Sequence, residues 1–289
     1  MNAAKGRIKC IQKRIQKEVG KKRAVILVSG GIDSSVCAIL SNRVISKQLY
    51  PIYIKTGFSL DQEEKEMIKL FGGFNIKIKI LDKEEEYFSK LHNIENPVKR
   101  RHMFGVISLE NIRRYAKSAG ATILINGVNK NDIKISNTKK RAKKLFELKL
   151  VEPLANLYKT EIKEIAKQIG LNRLAYKQHI PGPGLSIRIA GKITKEKLNL
   201  LKEINKLVNK KTTNRRNLWY FPFLLNERLD NKYLIVLRFV SSKEGFKAES
   251  IYNKKLMNLL VKSILKKFHQ IGRVFFDISP KPPATIEFM

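Results

Sequence analysis

The chain is poor in the residues and patterns that mark several large classes of protein. It has two cysteines in 289 residues, too few for a disulfide framework. Cys10 stands in a basic helical stretch and Cys37 in an apolar one, so both read as buried or incidental thiols. Of four histidines, His92, His102 and His269 show no metal-ligand spacing and read as surface or packing residues. His179 stands just before a Pro-Gly turn and is a candidate to face a ligand. No apolar run approaches the ~20 residues needed to cross a bilayer. The segment Met1 to Arg7 lacks the apolar core of a secretion signal. These absences predict a soluble, cytoplasmic protein with no membrane partner. Acidic residues are also scarce, 25 against 59 Lys and Arg, for a net charge of +34. That excess admits nucleic acid as a partner. It does not favour one, because lysine is scattered over nearly every segment. The densest clusters, 139–144 and 210–216, lack the interleaved aromatics of a single-strand platform. The length suits one or two domains, and 43% apolar residues suffice for a buried core. No internal repeat or low-complexity linker divides the chain.

The most informative segment present is Ser29-Gly30-Gly31-Ile32-Asp33-Ser34-Ser35. It follows a strand-like run, Ala24 to Val28, and precedes a helical one, Val36 to Leu40. A strand, a glycine turn with hydroxyls and a helix N-terminus together make an anion site. The glycines let backbone approach a phosphate without a Cβ clash. The first helical N–H groups have no intrahelical partner, and the helix dipole favours negative charge there. Asp33 repels a bare phosphate, so its place in the loop implies a metal that bridges to one. The loop is not a Walker loop, because no lysine follows Gly31.

Around this loop strands and helices alternate. Ile8, Ile11, Ile15 and Val19 predict an amphipathic helix over about 5–20. Strands are expected at 24–28, 50–55, 75–81 and 121–125, with helices to about 46, over 61–71 and over 103–118. Such alternation implies βαβ units on a parallel sheet, whose ligands bind at the strand carboxyl ends, where the loop falls. A second unit begins at Pro181-Gly182-Pro183-Gly184. Strands are expected at 185–189, 233–240 and 273–278, and helices at 195–208 and 250–268. This α+β unit has a sheet face to cover, and a homodimer is the simple solution.

The loop resembles that of the N-type ATP pyrophosphatases, the PP-loop superfamily, which cleave ATP to AMP and pyrophosphate. Two further motifs sharpen the resemblance: His179 to Arg188, containing Pro-Gly-Pro-Gly-Leu, and Asp277 to Glu287, containing Pro-Pro-Ala-Thr-Ile-Glu. Val151 to Leu154 and Tyr158 to Glu161 fit as well. Over essentially its whole length the chain resembles the GMP synthases, specifically their ATP pyrophosphatase subunit. The resemblance implies an α/β fold, with a PP-loop (adenine-nucleotide α-hydrolase-like) domain at 1–180 and an α+β dimerisation and XMP-binding domain at 181–289. It implies a ligase that adenylates xanthosine monophosphate (XMP) with ATP, then lets ammonia displace AMP to give GMP. Ser29, Gly30, Gly31, Asp33, Ser34 and Ser35 would hold ATP, with Tyr53 and Ile54 near adenine. Asp33 and Asp132 would be catalytic and would bind Mg²⁺. Arg188, Lys281, Ile286 and Glu287 would hold XMP. Neither cysteine sits in a glutaminase elbow, so a separate glutamine amidotransferase subunit is the expected ammonia source.

There are departures. The family's Q-G-T-x-x-P-D-x-x-E becomes Asn126 to Ile135, which keeps Asp132 but has Ile135 at the Glu position. The lid motif has no counterpart, and the basic stretch Asn137 to Lys144 stands in its place. The arginine of the Gly-Arg pair after Lys99-Arg100-Arg101 is missing, and the chain ends Glu287-Phe288-Met289 instead of Glu-Trp-Glu. Two other readings therefore stay open: a catalytically impaired nucleotide-binding relative, and a PP-loop enzyme that modifies tRNA.

Overall fold

The computed structural model describes residues 2–135, 148–176, 182–212, 218–241, 248–282 and 284–285. The chain divides into two units. One comprises Met1–Lys83 with Val106–Ile180, the other Glu84–Gly105 with Pro181–Met289.

The first unit is built on a five-stranded parallel sheet in the order β3-β2-β1-β4-β5. The strands are β1 (Ala24–Leu27), β2 (Leu49–Lys55), β3 (Lys79–Asp82), β4 (Ile123–Ile125) and β5 (Lys149–Val151). β1 is Ala-Val-Ile-Leu and pairs with β2 on one side and β4 on the other. An apolar strand covered on both faces belongs in the centre of a parallel sheet. The helix Ile32–Ile45 packs on it through Val36, Cys37, Ala38, Ile39 and Leu40, all at most 1% exposed. Helix Asn2–Val19 adds Ile8, Ile11, Ile15 and Val19 to the same core, the stripe expected from their spacing. Chain order reverses about β1, since β2 and β3 lie on one side and β4 and β5 on the other. The loop after β1 thus leaves the sheet at its switch point.

The expected strand at 75–81 begins only at Lys79. Asn75 takes φ +55°, and the N–H groups of Asn75 and Ile76 donate to Gly72 O and Phe71 O. The first residues of that segment therefore close the preceding helix and are not free to pair as strand.

The second unit holds a smaller sheet of β6 (Leu218–Leu229), β7 (Lys232–Ser241), β8 (Glu249–Ser250) and β9 (Ile271–Asp277). β6 and β7 form a hairpin whose turn residues, Asp230 and Asn231, both have positive φ (51° and 59°). A two-residue turn with two left-handed residues matches the twist of its strands. β7 also pairs with β9 in parallel. β6 carries no alternation to announce it, because Leu218 to Leu225 is apolar throughout and includes Pro222.

The expected strand at 185–189 is corrected. Gly184–Arg188 is a 3₁₀ turn, buried throughout, and only Ile189 makes a β-bridge, to Leu224. Gly184 has φ +56°, and the Ser186 hydroxyl donates to Pro183 O at 2.7 Å. The turn is fixed from outside by Arg100, which is fully buried. Its guanidinium donates to Ser186 O and Ile189 O at 2.6 Å, to Gly191 O at 2.5 Å and to Ile94 O at 2.7 Å. Burial lowers the pKa of Arg100 to about 10, with Glu95 acting in the opposite direction.

Candidate functional site

The β1 loop is ordered by its own hydroxyls. The Ser34 hydroxyl donates to Gly31 O (3.1 Å), accepts from the Ser29 N–H (3.3 Å) and lies 3.1 Å from the Ser29 hydroxyl. With its single proton given to Gly31, Ser34 accepts from the Ser29 hydroxyl. Gly30 has φ +72°, a conformation that disfavours any side chain. Gly31 stands extended at the N-cap and offers no side-chain cap, and the Ser35 N–H makes the bond back to Gly31 O. The N–H groups of the preceding turn, Ile32 to Ser34, have no intrahelical acceptor and add to the positive end of the helix.

Asp33 occupies that turn. Its Oδ2 is held by the Lys159 ammonium, and its Oδ1 is buried with no hydrogen-bond partner among the described residues. An orphaned, buried carboxylate oxygen is costly unless a cation or donor completes it. A second carboxylate lies within electrostatic reach. Asp132 has its pKa raised chiefly by desolvation and further by the charge of Asp33, against the opposing pull of the Asn129 N–H and of Lys159. Oxygen ligands of this hardness, with an unsatisfied Oδ1, suit Mg²⁺. No group of three His, Cys, Asp or Glu poised for a metal occurs among the described residues, so any cation here would also need ligands from substrate or water.

Asn129 and Asn131, both buried, hold these groups in place. Asn129 Oδ1 accepts from the N–H groups of Asn131 (2.9 Å) and Asp132 (3.0 Å), capping the short helix Lys130–Ile135. The Asn129 N–H returns a bond to Asp132 Oδ2 at 3.3 Å. Asn131 Oδ1 accepts from the Lys159 N–H (3.1 Å), and the Lys130 N–H donates to Leu157 O (2.9 Å). The segment after β4 is thereby tied to the N-terminus of helix Lys159–Gln168, from which Lys159 reaches Asp33. Gly127 lies against the loop itself. A Cβ there would stand 3.0 Å from Asp33 C and Ser34 N and 3.1 Å from Asp33 O.

The predicted ATP residues Ser29, Gly30, Gly31, Asp33, Ser34 and Ser35 thus share one loop, with Asp132 beside it. Tyr53 and Ile54 stand near the carboxyl end of β2, both buried, and the Tyr53 hydroxyl lies 3.1 Å from the Ser59 hydroxyl. In the second unit Arg188 is 1% exposed and its guanidinium sits 4.7 Å over the Phe221 ring. Lys281 is half-buried, and burial lowers its pKa. Ile286 and Glu287, like His179 and the basic stretch at 137–144, lie outside the described residues. Sequence reasoning gave no role to Lys159, Gly127, Arg100 or Arg238. Lys159 did stand within a motif, Tyr158 to Glu161, whose Glu161 carboxylate accepts from the Tyr158 N–H at 2.8 Å. No helix of the described residues is long and apolar enough to cross a membrane.

Comparison with known proteins agrees with this layout. Residues 225–288 match the family model of the GMP synthase C terminal domain. Residues 4–119, which contain the β1 loop, match that of NAD synthase. Among curated proteins the chain is 34% identical over 301 aligned positions to one of the subunits of the glutamine-hydrolysing GMP synthase of Methanoregula boonei, covering 97% of this chain and 98% of the relative. The same subunit from Methanococcus vannielii is 33% identical, with 95% of each chain covered. That from Pyrococcus furiosus is 31% identical, with 96% of this chain and 95% of the relative covered.

Proposed function

This chain belongs to the family of GMP synthase synthetase subunits, and we propose on that premise how its own residues carry out the synthetase reaction. It is an ATP-dependent ligase that aminates XMP to GMP. ATP adenylates the C2 oxygen of XMP with release of pyrophosphate, and ammonia then displaces AMP. A purine oxygen is a poor leaving group and its adenylate a good one. Catalysis therefore lies mainly in positioning and in offsetting phosphate charge.

The observation that carries the assignment is the meeting of Asp33, Lys159 and Asp132 at the phosphate loop of the switch point. Ser29, Gly30, Gly31, Ser34 and Ser35 form the loop that holds the polyphosphate through its free backbone N–H groups, with the Ser29 and Ser34 hydroxyls fixing its shape. Tyr53 and Ile54 supply the apolar edge for adenine. Asp33 and Asp132 would hold Mg²⁺, which when bound would supply charge neutralisation for the phosphates. Lys159 holds the Asp33 carboxylate in place through Oδ2. XMP is held by Arg188, Lys281, Ile286 and Glu287. A cation for the nucleotide phosphate and a carboxylate for the ring N–H groups are the chemistry this substrate asks for. The domain at 1–180, less 84–105, binds ATP, and the domain at 181–289, which 84–105 joins, binds XMP and dimerises. Exposed Phe275 (43%) and Ile278 (66%) on and beside β9 supply apolar surface for a homodimer. The cytoplasm is the proposed location.

Ammonia reaches the chain free or from a separate glutamine amidotransferase subunit. Purified protein given ATP, Mg²⁺ and XMP is expected to form GMP with ammonium and none with glutamine, until such a subunit is added. GMP formed from glutamine by the chain alone would overturn the two-subunit assignment.

A further inference from the structure

We infer that Arg238 is a positioning residue for the loop that carries Lys281, setting the geometry in which Lys281 meets XMP. The inference rests on the proposed XMP reading of that loop. Arg238 lies in β7 among core residues and is fully buried. Taking a guanidinium out of water costs several kcal/mol unless its donors are matched. Three of its hydrogen bonds go to one stretch of chain. Nη1 donates to Asp277 Oδ2 at 2.6 Å and to Ser279 O at 2.9 Å, and Nη2 donates to Thr285 O at 2.8 Å. Asp277 is Arg238's register partner on β9, and its other oxygen accepts from the Ser279 N–H at 2.9 Å.

One planar group therefore grips both ends of the loop from Ser279 to Thr285. Lys281 stands between those ends. It is held from the other side by two backbone bonds with Ala248, at 2.8 and 3.2 Å. A lysine could keep the charge at this place but not the fork that spans both carbonyls. The consequence is specific to one substrate: loosening the fork displaces the XMP segment, while the phosphate loop belongs to the other unit.

The test compares Arg238→Lys and Asp277→Asn with the parent in steady-state AMP release, varying XMP and ATP separately, alongside thermal melting. The expected result is a KM for XMP raised about tenfold or more, by displacement of the binding groups. The KM for ATP should stay within about twofold of the parent, the phosphate loop being untouched. A merely structural arginine would lower the melting temperature and the active fraction and leave the KM for XMP unmoved. That outcome overturns the inference. Should Arg238→Lys fail to fold, Asp277→Asn, which keeps shape and an acceptor, decides alone. Lys281→Ala and Glu287→Gln separate the two layers. If they leave the KM for XMP unchanged, the XMP reading itself falls. If they raise it and neither Arg238→Lys nor Asp277→Asn does, only the positioning role falls.

Discussion

Gly127→Ala is expected to lower kcat/KM for ATP by about 10- to 100-fold, on the scale at which a 1 Å misplacement costs about 100-fold. The added Cβ would meet Asp33 C and Ser34 N at 3.0 Å and Asp33 O at 3.1 Å, and all three are backbone atoms. No side chain can swing aside, so the phosphate loop must yield by a few tenths of an ångström. It yields where the first helical N–H groups and the Asp33 carboxylate are aimed. Overpacking of this kind costs about 1–3 kcal/mol of stability, which leaves a protein of this size folded. Steady-state AMP release and a melting curve on the same preparation check both parts. A kcat/KM within about twofold of the parent would show that the loop's position is not critical.

Asp33→Asn is expected to reduce AMP formation by about 100- to 1,000-fold, the range seen when one preorganised charge-stabilising group is removed. The amide preserves shape, but it neither attracts a cation nor pairs with the Lys159 ammonium. The side chains of Asp33 and Lys159 keep 16% and 25% exposure, so solvent only partly compensates the lost pair. XMP binding, which calorimetry reads separately, should be unaffected. Turnover within about threefold of the parent would remove Asp33 from the catalytic machinery.

The parts of the site that are contiguous in sequence were legible there. The strand, the glycine pair, the hydroxyls and the helix start all fall within Ala24 to Leu40, and each has a local physical signature. The parallel sheet follows from the alternation of strands and helices, whereas the strand order that makes β1 the switch point does not. What escaped is tertiary. Lys159 lies 126 residues from Asp33, and nothing near it in sequence says what its ammonium will meet. The smallness of Gly127 acquires meaning only from the backbone packed against it. The 185–189 segment alternates like a strand, since Leu185, Ile187 and Ile189 are apolar while Ser186 and Arg188 are not. A distant arginine collects its carbonyls and winds it into a turn. β6 is hidden for the opposite reason: it is apolar on both faces and contains a proline, so no period marks it.

The central claim is that this chain uses ATP to activate XMP. It is tested most directly by following AMP release from ATP, Mg²⁺ and ammonium as XMP is raised, with GMP measured in the same samples. The account predicts AMP that depends on XMP and equals GMP mole for mole. Binding of both nucleotides by calorimetry with no turnover, or AMP release indifferent to XMP, would contradict it.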